Sequence, residues 1–153
     1  MTTVTYAYTQ GRPLLPVVVG INRAKVFGLA NAGRPIPQPV ARTFLIDTGA
    51  EDTWVTRDTM DLLNLLPFNA VPVQTGALGS GAAQFDQYEI GLRIPATVRG
   101  QADVQMVSLP VLCGDFSGQG IDGLVGRDVL TRCVATFDGP ARRFTLVFRT
   151  GGG

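Results

Sequence analysis

The chain has 153 residues, of which 45% are apolar and 16% charged, and a formal net charge of +1. These values fit one soluble globular domain and exclude an intrinsically disordered chain, and they give no reason to expect a nucleic acid or an anionic membrane surface as partner. The sequence has no histidine, which excludes Ser-His-Asp catalysis, Cys-His catalysis and histidine-ligated metal sites. We expect no metal and no cofactor.

The two cysteines and the first residues indicate a cellular compartment. Cys113 and Cys133 leave a single disulfide open, but free thiols in a reducing compartment are favoured. Residues Met1 to Gln10 lack a basic stretch followed by an apolar run, so no signal peptide is expected. No apolar run is long enough to span a bilayer. We therefore expect a cytoplasmic protein without a membrane partner.

Short apolar runs, often β-branched and separated by glycine and proline, indicate an all-β domain. Asp138-Gly139-Pro140 predicts the turn of a C-terminal hairpin, and Asn22–Pro39 predicts a long surface loop or an irregular hairpin. The expected strands are Leu14–Ile21, Thr43–Asp47, Trp54–Thr56, Val71–Thr75, Gln84–Ile94, Gln101–Leu112, Gly123–Val125, Val134–Phe137 and Arg143–Phe148.

Two segments are expected to be helical. Arg57–Leu66 has apolar residues at helical spacing and is ended by Pro67, and Arg127–Cys133 follows a glycine and carries Asp128 near its first turn. The chain has no internal repeat and no interdomain linker. Its expected divisions are an N-terminal segment (1–11), one domain (12–149) and a flexible tail (150–153).

The segment Phe44-Leu45-Ile46-Asp47-Thr48-Gly49-Ala50 places an acidic side chain at the end of an apolar strand. A carboxylate beside a buried strand is costly unless it is paired and hydrogen-bonded. Thr48 offers a hydroxyl, and Gly49 offers a backbone N–H and lets a second chain approach closely. Asp-Thr-Gly alone also fits a plain turn capped by the aspartate, so its position after the Phe-Leu-Ile strand is what makes it specific.

A second motif, Gly123-Leu124-Val125-Gly126-Arg127-Asp128-Val129-Leu130, opens into the expected C-terminal helix. In this order the two motifs resemble the retropepsin-like aspartic peptidase family. Its members carry Asp-Thr/Ser-Gly-Ala after an apolar strand and, later, an apolar pair, Gly-Arg-Asn/Asp and two apolar residues. A weaker match lies at Arg12-Pro13-Leu14. The resemblance covers most of Arg12–Phe148 and fits bacterial or mobile-element members better than the compact viral enzymes.

The resemblance implies a fold and an activity. The fold is a closed β-barrel (the acid protease fold) with one short C-terminal helix and a glycine-rich flap hairpin. The activity is that of an aspartic endopeptidase, in which two carboxylates share one proton and activate a water molecule. Because the chain holds a single Asp-Thr-Gly, the second carboxylate is the Asp47 of a twofold mate, and the expected partners are a second copy and a peptide or protein substrate.

The resemblance also assigns residues to roles. Asp47, Thr48 and Gly49 are the expected catalytic residues, with Thr48 bonding across the dimer axis. The expected ion pairs join Arg127 to Glu51 within a subunit and Arg12 to Glu51 of the mate, with solvated surface charge as the alternative for both arginines. The expected substrate-binding residues are Ala50, Asp52, Trp54 and Leu124 and, in the flap segment Gln74–Ala82, Gly76, Ala77, Leu78 and Gly79.

Several alternatives remain open at the level of sequence. Trp54 and Leu124 fit core packing almost as well as subsite walls, and the flap segment fits an ordinary loop. Asp122 is a candidate to face the cleft and disfavour acidic substrate side chains. The whole chain also fits a catalytically silent barrel that serves as a dimerisation or peptide-binding module, or a processing domain of a larger polyprotein. The intact Asp47-Thr48-Gly49 favours activity over the silent module.

Overall fold

The computed structural model describes residues 1–74 and 82–149, in which ten strands and three helices are present. In chain order these are β1 (Thr2–Ala7), β2 (Leu14–Ile21), α1 (Arg23–Asn31), β3 (Val40–Ile46), β4 (Trp54–Thr56), α2 (Arg57–Leu62), β5 (Asn69–Gln74), β6 (Ala82–Ile94), β7 (Val104–Gly114), β8 (Gly123–Val125), α3 (Arg127–Leu130), β9 (Cys133–Asp138) and β10 (Arg143–Phe148).

Six strands form a closed barrel in the order β2-β3-β8-β4-β7-β6, and β6 pairs again with β2 to complete the ring. The barrel strands alternate inward and outward residues. In β6, for example, Tyr88, Ile90, Leu92 and Ile94 are buried and the residues between them are partly exposed. The all-β closed barrel expected from the sequence is confirmed, and its interior forms the hydrophobic core.

The centre of the barrel sets the path of the chain after β3. Strand β8 is parallel to β3 on one side and antiparallel to β4 on the other. The chain between Ile46 and Trp54 must therefore cross the end of β8, at Val125. This crossing segment, residues 47–53, carries the Asp-Thr-Gly motif.

A second, three-stranded antiparallel sheet joins the two ends of the chain in the order β1-β10-β9. Its buried residues Val4, Phe144, Leu146 and Phe148 extend the core. The outer edge of β1 is capped by side chains, because Thr3 N–H donates to Gln101 Oε1 at 2.6 Å and Thr5 N–H donates to Thr97 Oγ1 at 2.9 Å. The opposite edge of this sheet is β9.

The structure corrects several expectations about the elements. Asn22–Pro39 is not a loop or hairpin throughout, because it contains α1, whose N-cap Asn22 accepts a hydrogen bond from Lys25 N–H at 2.8 Å. Helix α2 ends at Leu62 rather than Leu66, since Asn64 adopts a positive φ of 53°. Helix α3 ends at Leu130 rather than Cys133, where β9 already begins, and β1 was not expected at all.

The flap expectation falls on residues that the structure does not describe. Strands β5 and β6 form an antiparallel hairpin in which Gln74 lies opposite Ala82. Gly76, Ala77, Leu78 and Gly79 lie outside the described residues, as does the expected tail from residue 150. Within the described part of the chain, no helix is both long and apolar enough to cross a membrane.

The two cysteines are not bonded to each other. Cys113 is buried and Cys133 is half-buried. Burial raises the pKa of both thiols, so neither is activated as a nucleophile. Of the two alternatives left open by the sequence, the structure therefore has free thiols.

Candidate active site

Asp47 is the first residue of the crossing segment and is held by short-range hydrogen bonds. Its backbone N–H donates to Val125 O at 3.0 Å, and Ala50 N–H donates to Asp47 O at 3.2 Å. The side-chain Oδ1 accepts from Gly49 N–H at 2.9 Å. A Cβ at Gly49 would lie 3.2 Å from that oxygen, which is a tight contact that the carboxylate would have to move to relieve. In the described part of the chain, Oδ2 accepts no hydrogen bond and stays available for a ligand.

Arg127 fixes the other side of the crossing segment. Its guanidinium donates to Thr48 O at 2.9 Å and lies 3.6 Å from Glu51 Oε1. Its backbone N–H donates to Ala50 O at 2.9 Å, and the next N–H, that of Asp128, donates to Glu51 O at 3.1 Å. The first turn of α3 therefore holds the segment through both main-chain and side-chain bonds.

Thr53 and Asp128 tie the end of the segment to the same helix. Thr53 is fully buried, and its N–H and hydroxyl donate to the two oxygens of Asp128 at 3.0 and 2.7 Å. The Thr53 hydroxyl also accepts from Gly126 N–H at 3.2 Å. The sequence indicates Asp128 only as part of the second motif and its helix, and it assigns no role to Thr53. The sequence marks Thr53 only by its position between Glu51-Asp52 and the Trp54-Val55 strand.

A cleft of about 930 Å³ opens above Asp47. Many expected site residues meet in its wall, which contains Asp47, Gly49, Ala50, Glu51, Asp52, Trp54, Leu124 and Arg127. Thr48 is exposed and is not among the residues that line the cleft, and its carbonyl oxygen accepts from Arg127. Arg12 is not part of this wall, since its guanidinium donates to Gln119 O at 2.7 Å.

Apart from Gln74, which begins the expected flap segment, the residues of the remaining walls were not predicted from the sequence. They come from β5, from β6 and from the end of β7, and consist of Val71, Pro72, Val73, Gln74, Phe85, Gly114, Asp115 and Phe116. Phe85 meets the Trp54 ring edge-on, with ring centroids 4.8 Å apart. A Cβ at Gly114 would lie 2.9 Å from the Trp54 ring, so glycine leaves the space that Trp54 fills.

Two carboxyl groups of the cleft have shifted pKa values of opposite sign. The pKa of Asp52 is raised, first by partial burial and then by the negative charges of Asp128 and Glu51. The pKa of Asp115 is lowered, because the hydroxyl and the backbone N–H of Ser117 both donate to it. The Asp115-Phe116-Ser117-Gly118 segment is therefore a turn, and its Asp115 and Phe116 line the cleft.

Comparison with known proteins identifies the fold. No model of a known protein family and no curated protein sequence matches the chain. A retropepsin-like aspartic protease from Rickettsia conorii is similar over 95% of this chain and 90% of its own, with a TM-score of 0.58 and 14% identity.

Two further solved structures are similar at TM-scores below 0.5, too low to assign a fold. EIAV protease with the inhibitor HBY-793 is 15% identical, with 78% of this chain and 86% of that chain covered and a TM-score of 0.43. The retroviral protease-like domain of Ddi1 from Leishmania major is 14% identical, with 92% and 97% covered and a TM-score of 0.41. Because the Rickettsia protein is matched over nearly its whole length, the chain has the fold of the retropepsin-like aspartic proteases.

Proposed function

We propose that this chain is an aspartic endopeptidase that works as a homodimer, with Asp47 of each subunit forming the catalytic pair. The observation that carries the proposal is the position of Asp47. It lies at the base of a cleft of about 930 Å³, with Oδ1 fixed by Gly49 N–H at 2.9 Å and Oδ2 open to a ligand. A cleft of this volume is large enough for several residues of an extended peptide.

The reaction follows from two such carboxylates at close range. Like charges so near cannot both ionise, so the pair holds one proton. The ionised Asp47 takes a proton from a water molecule as its oxygen attacks the scissile carbonyl carbon, and the protonated Asp47 donates to the carbonyl oxygen. Collapse of the tetrahedral intermediate breaks the C–N bond, and the departing nitrogen receives a proton from the pair.

The proposed substrate contacts follow from the walls of the cleft. Trp54 and Leu124, both half-buried, supply apolar walls beside Asp47 and favour apolar side chains at the cut. Strand β5 forms the opposite wall, which supports a role for the β5–β6 hairpin as a flap over bound peptide. Gly76, Ala77, Leu78 and Gly79 are proposed to donate backbone hydrogen bonds to that peptide.

The edge strand β9 supports the homodimer. An open strand edge readily pairs with another strand. On β9, Val134 is 51% exposed and Phe137 is 41% exposed, whereas the β1 edge is capped by Thr97 and Gln101. We propose that two copies of β9 meet. Thr48 then bonds across the axis, and Arg12 pairs with Glu51 of the mate.

A cytoplasmic location belongs to the same proposal. A reducing compartment keeps thiols free, and Cys113 and Cys133 are not bonded to each other. Fractionation of cells that express the chain, followed by immunoblotting, would place it. Recovery from a membrane or secreted fraction would contradict a cytoplasmic location.

The test is cleavage of a peptide library at mildly acidic to neutral pH, with sites identified by mass spectrometry. Asp47→Asn keeps the shape of the side chain but removes the shared proton, so we expect cleavage to fall by about a thousandfold or more. Asp103→Asn is the matched control, because Asp103 also accepts a backbone hydrogen bond, from Ala96 N–H at 2.9 Å, but lies outside the cleft and outside β9.

The outcomes separate the two function classes. Cleavage by the wild type and by Asp103→Asn, lost in Asp47→Asn, supports the peptidase. Equal cleavage by all three proteins rules out Asp47 as the catalytic group. Folded dimers that bind peptides without cutting them favour the catalytically silent peptide-binding module instead.

A further inference from the structure

A second cavity, of about 610 Å³, adjoins the Asp47 cleft. The two cavities share Phe85, Gly114, Asp115 and Phe116 as lining residues, so they lie side by side. The other walls of the second cavity come from the start of α2 and from the segment that precedes β8. A peptide that lies in the Asp47 cleft therefore has room to place a neighbouring side chain here.

The second cavity has an apolar wall. Phe85 and Phe116 are half-buried, and Ile121 is buried. The Phe85 ring is kept in place by its edge-on contact with Trp54, which itself lines the Asp47 cleft. Aromatic rings of this kind pack against the methylene stem of a long side chain and attract a cation over the ring face.

The charged groups in the wall of the second cavity are mostly acidic. Asp58, Asp115 and Asp122 line it, and Arg57 is the one cation among the lining residues described. The guanidinium of Arg57 is already bound, at 3.0 Å, to Asp86, which lies outside this wall. A cation that enters the cavity therefore meets a surplus of negative charge.

Asp115 is the acidic residue best placed to bind a cation that enters the cavity. Asp58 is paired with Arg42 at 3.4 Å, and Asp122 accepts from Thr43 N–H at 2.9 Å. Asp115 receives hydrogen bonds only from Ser117, both on Oδ1, so that in the described part of the chain its Oδ2 is open. Those bonds lower the pKa of Asp115, which keeps the exposed carboxylate charged at neutral pH.

We propose that the second cavity is a subsite of the Asp47 cleft that takes a long basic side chain, with Asp115 as the specificity-determining residue. This inference rests on the proposed function. An arginine would pack its stem on Phe116 and place its guanidinium against Asp115 Oδ2. Because a homodimer contains the cavity twice, the preferred peptide carries a basic residue on each side of the apolar pair at the cut.

A bound metal ion is a poorer occupant of the same cavity. Over residues 1–74 and 82–149, no three acidic or cysteine side chains converge closely enough to hold a metal. An acidic side chain would face Asp58, Asp115 and Asp122 without a free cation among the lining residues described. The apolar wall and the single open carboxylate therefore favour a side chain with a long stem and one positive charge.

The test uses peptides with one apolar centre and Arg, Gln or Glu in the flanking positions. Each is made as a cleavable peptide and as a reduced-amide analogue that binds without being cut. For a charge-assisted contact with an exposed carboxylate we expect kcat/KM and affinity to favour Arg over Gln by about threefold to fivefold, with Glu lowest. Added salt should shrink the preference, because ions screen exposed charges.

Two variants of Asp115 and one control make the assignment specific. Asp115→Asn keeps an acceptor for the Ser117 bonds and removes the charge, so the ratio of Arg to Gln should fall to about one. Asp115→Lys should invert the order and favour Glu. Asp103→Asn removes an acid outside both cavities and outside β9 and should keep the wild-type preference.

Each result bears on one proposal or on both. Cleavage with equal use of Arg and Gln overturns the subsite and leaves the peptidase standing. Binding of the reduced-amide peptides with an Arg preference that needs Asp115, but without cleavage of the matching substrates, supports the subsite and overturns the peptidase. Folded protein that binds none of the peptides overturns both.

Discussion

At the scale of single residues, Asp128 fixes the geometry of the candidate site without lining its cleft. Its carboxylate accepts the N–H and the hydroxyl of the fully buried Thr53, and also Val129 N–H at 2.8 Å. A buried donor that loses its acceptor is costly, so Thr53 has little freedom to move. The crossing segment that begins at Asp47 is therefore anchored at its far end, which limits the positions that Asp47 can adopt.

Ionisation of Asp52 lowers the stability of the folded chain, so that this stability depends on pH. Its pKa in the folded chain is raised above the usual value of 3.8 by burial and by the charges of Asp128 and Glu51. The folded state therefore holds the proton more tightly than the unfolded chain, and stability decreases as the pH rises through the folded pKa. At a pH below 3.8, Asp52 is protonated in both the folded and the unfolded chain, so it no longer lowers the stability of the fold.

We expect Asp52→Asn to raise the free energy of unfolding at about pH 7 and to give little gain at about pH 3, because only the ionised form is penalised. Urea unfolding of both proteins at the two pH values, followed by circular dichroism, measures the difference. The gain is expected to stay below about 1 kcal/mol because Asp52 is exposed enough for water to screen the neighbouring charges. An equal change in the free energy of unfolding at both pH values would contradict the link between Asp52 ionisation and stability.

At the scale of elements, the contact between the crossing segment and the β8–α3 junction depends on Gly126. A Cβ at this position would lie 2.3 Å from Asp52 O and 3.1 Å from Ala50 O. These are backbone atoms, which cannot move aside as the end of a flexible side chain can. The close approach of two main chains is what brings Arg127 to Thr48 and Glu51.

Gly126→Ala is therefore expected to destabilise the fold by about 3 kcal/mol. Gly28→Ala is the matched control, because a Cβ there meets nothing within 4 Å and the residue lies inside α1. The control should stabilise the protein by up to about 1 kcal/mol through helix propensity. Thermal and urea unfolding measure both, and a neutral Gly126→Ala would refute the packing argument.

The elements also show which parts of the fold the sequence could predict. Leu14–Ile21 and Arg143–Phe148 were predicted with their correct bounds, because the strand pairing fits the local apolar runs. Helix α1 was missed because none of its residues is buried, so no apolar periodicity marks it. Strand β1 was missed because it depends on pairing with β10, at the opposite end of the chain.

The residues of the candidate site also fall into those that the sequence could predict and those that it could not. Asp47, Gly49 and Arg127 could be predicted because they lie in two contiguous motifs whose spacing carries the signal. Phe85 and Asp115 could not, since they reach the cleft only through the packing of β6 and the end of β7 around Trp54. A single sequence contains no local pattern for such long-range contacts.

At the scale of the whole molecule, the proposed dimer links stability of association to activity. Each chain supplies one Asp-Thr-Gly, so a monomer would hold half of the catalytic pair. Strand β9 begins three residues after α3, which carries Arg127 into contact with Thr48. Pairing through β9 would therefore act close to the Asp47 segment, and loss of the pairing should remove activity even where each subunit remains folded.

Val134→Lys tests this link. Lysine on an open strand edge opposes pairing with another strand, so we expect a dissociation constant at least about tenfold higher and a matching loss of peptide cleavage at low protein concentration. Val107→Lys is the control, since Val107 is also an exposed strand valine, on β7 rather than β9. Analytical ultracentrifugation measures the association, and a Val134→Lys protein that remains dimeric and fully active would show that the subunits meet elsewhere.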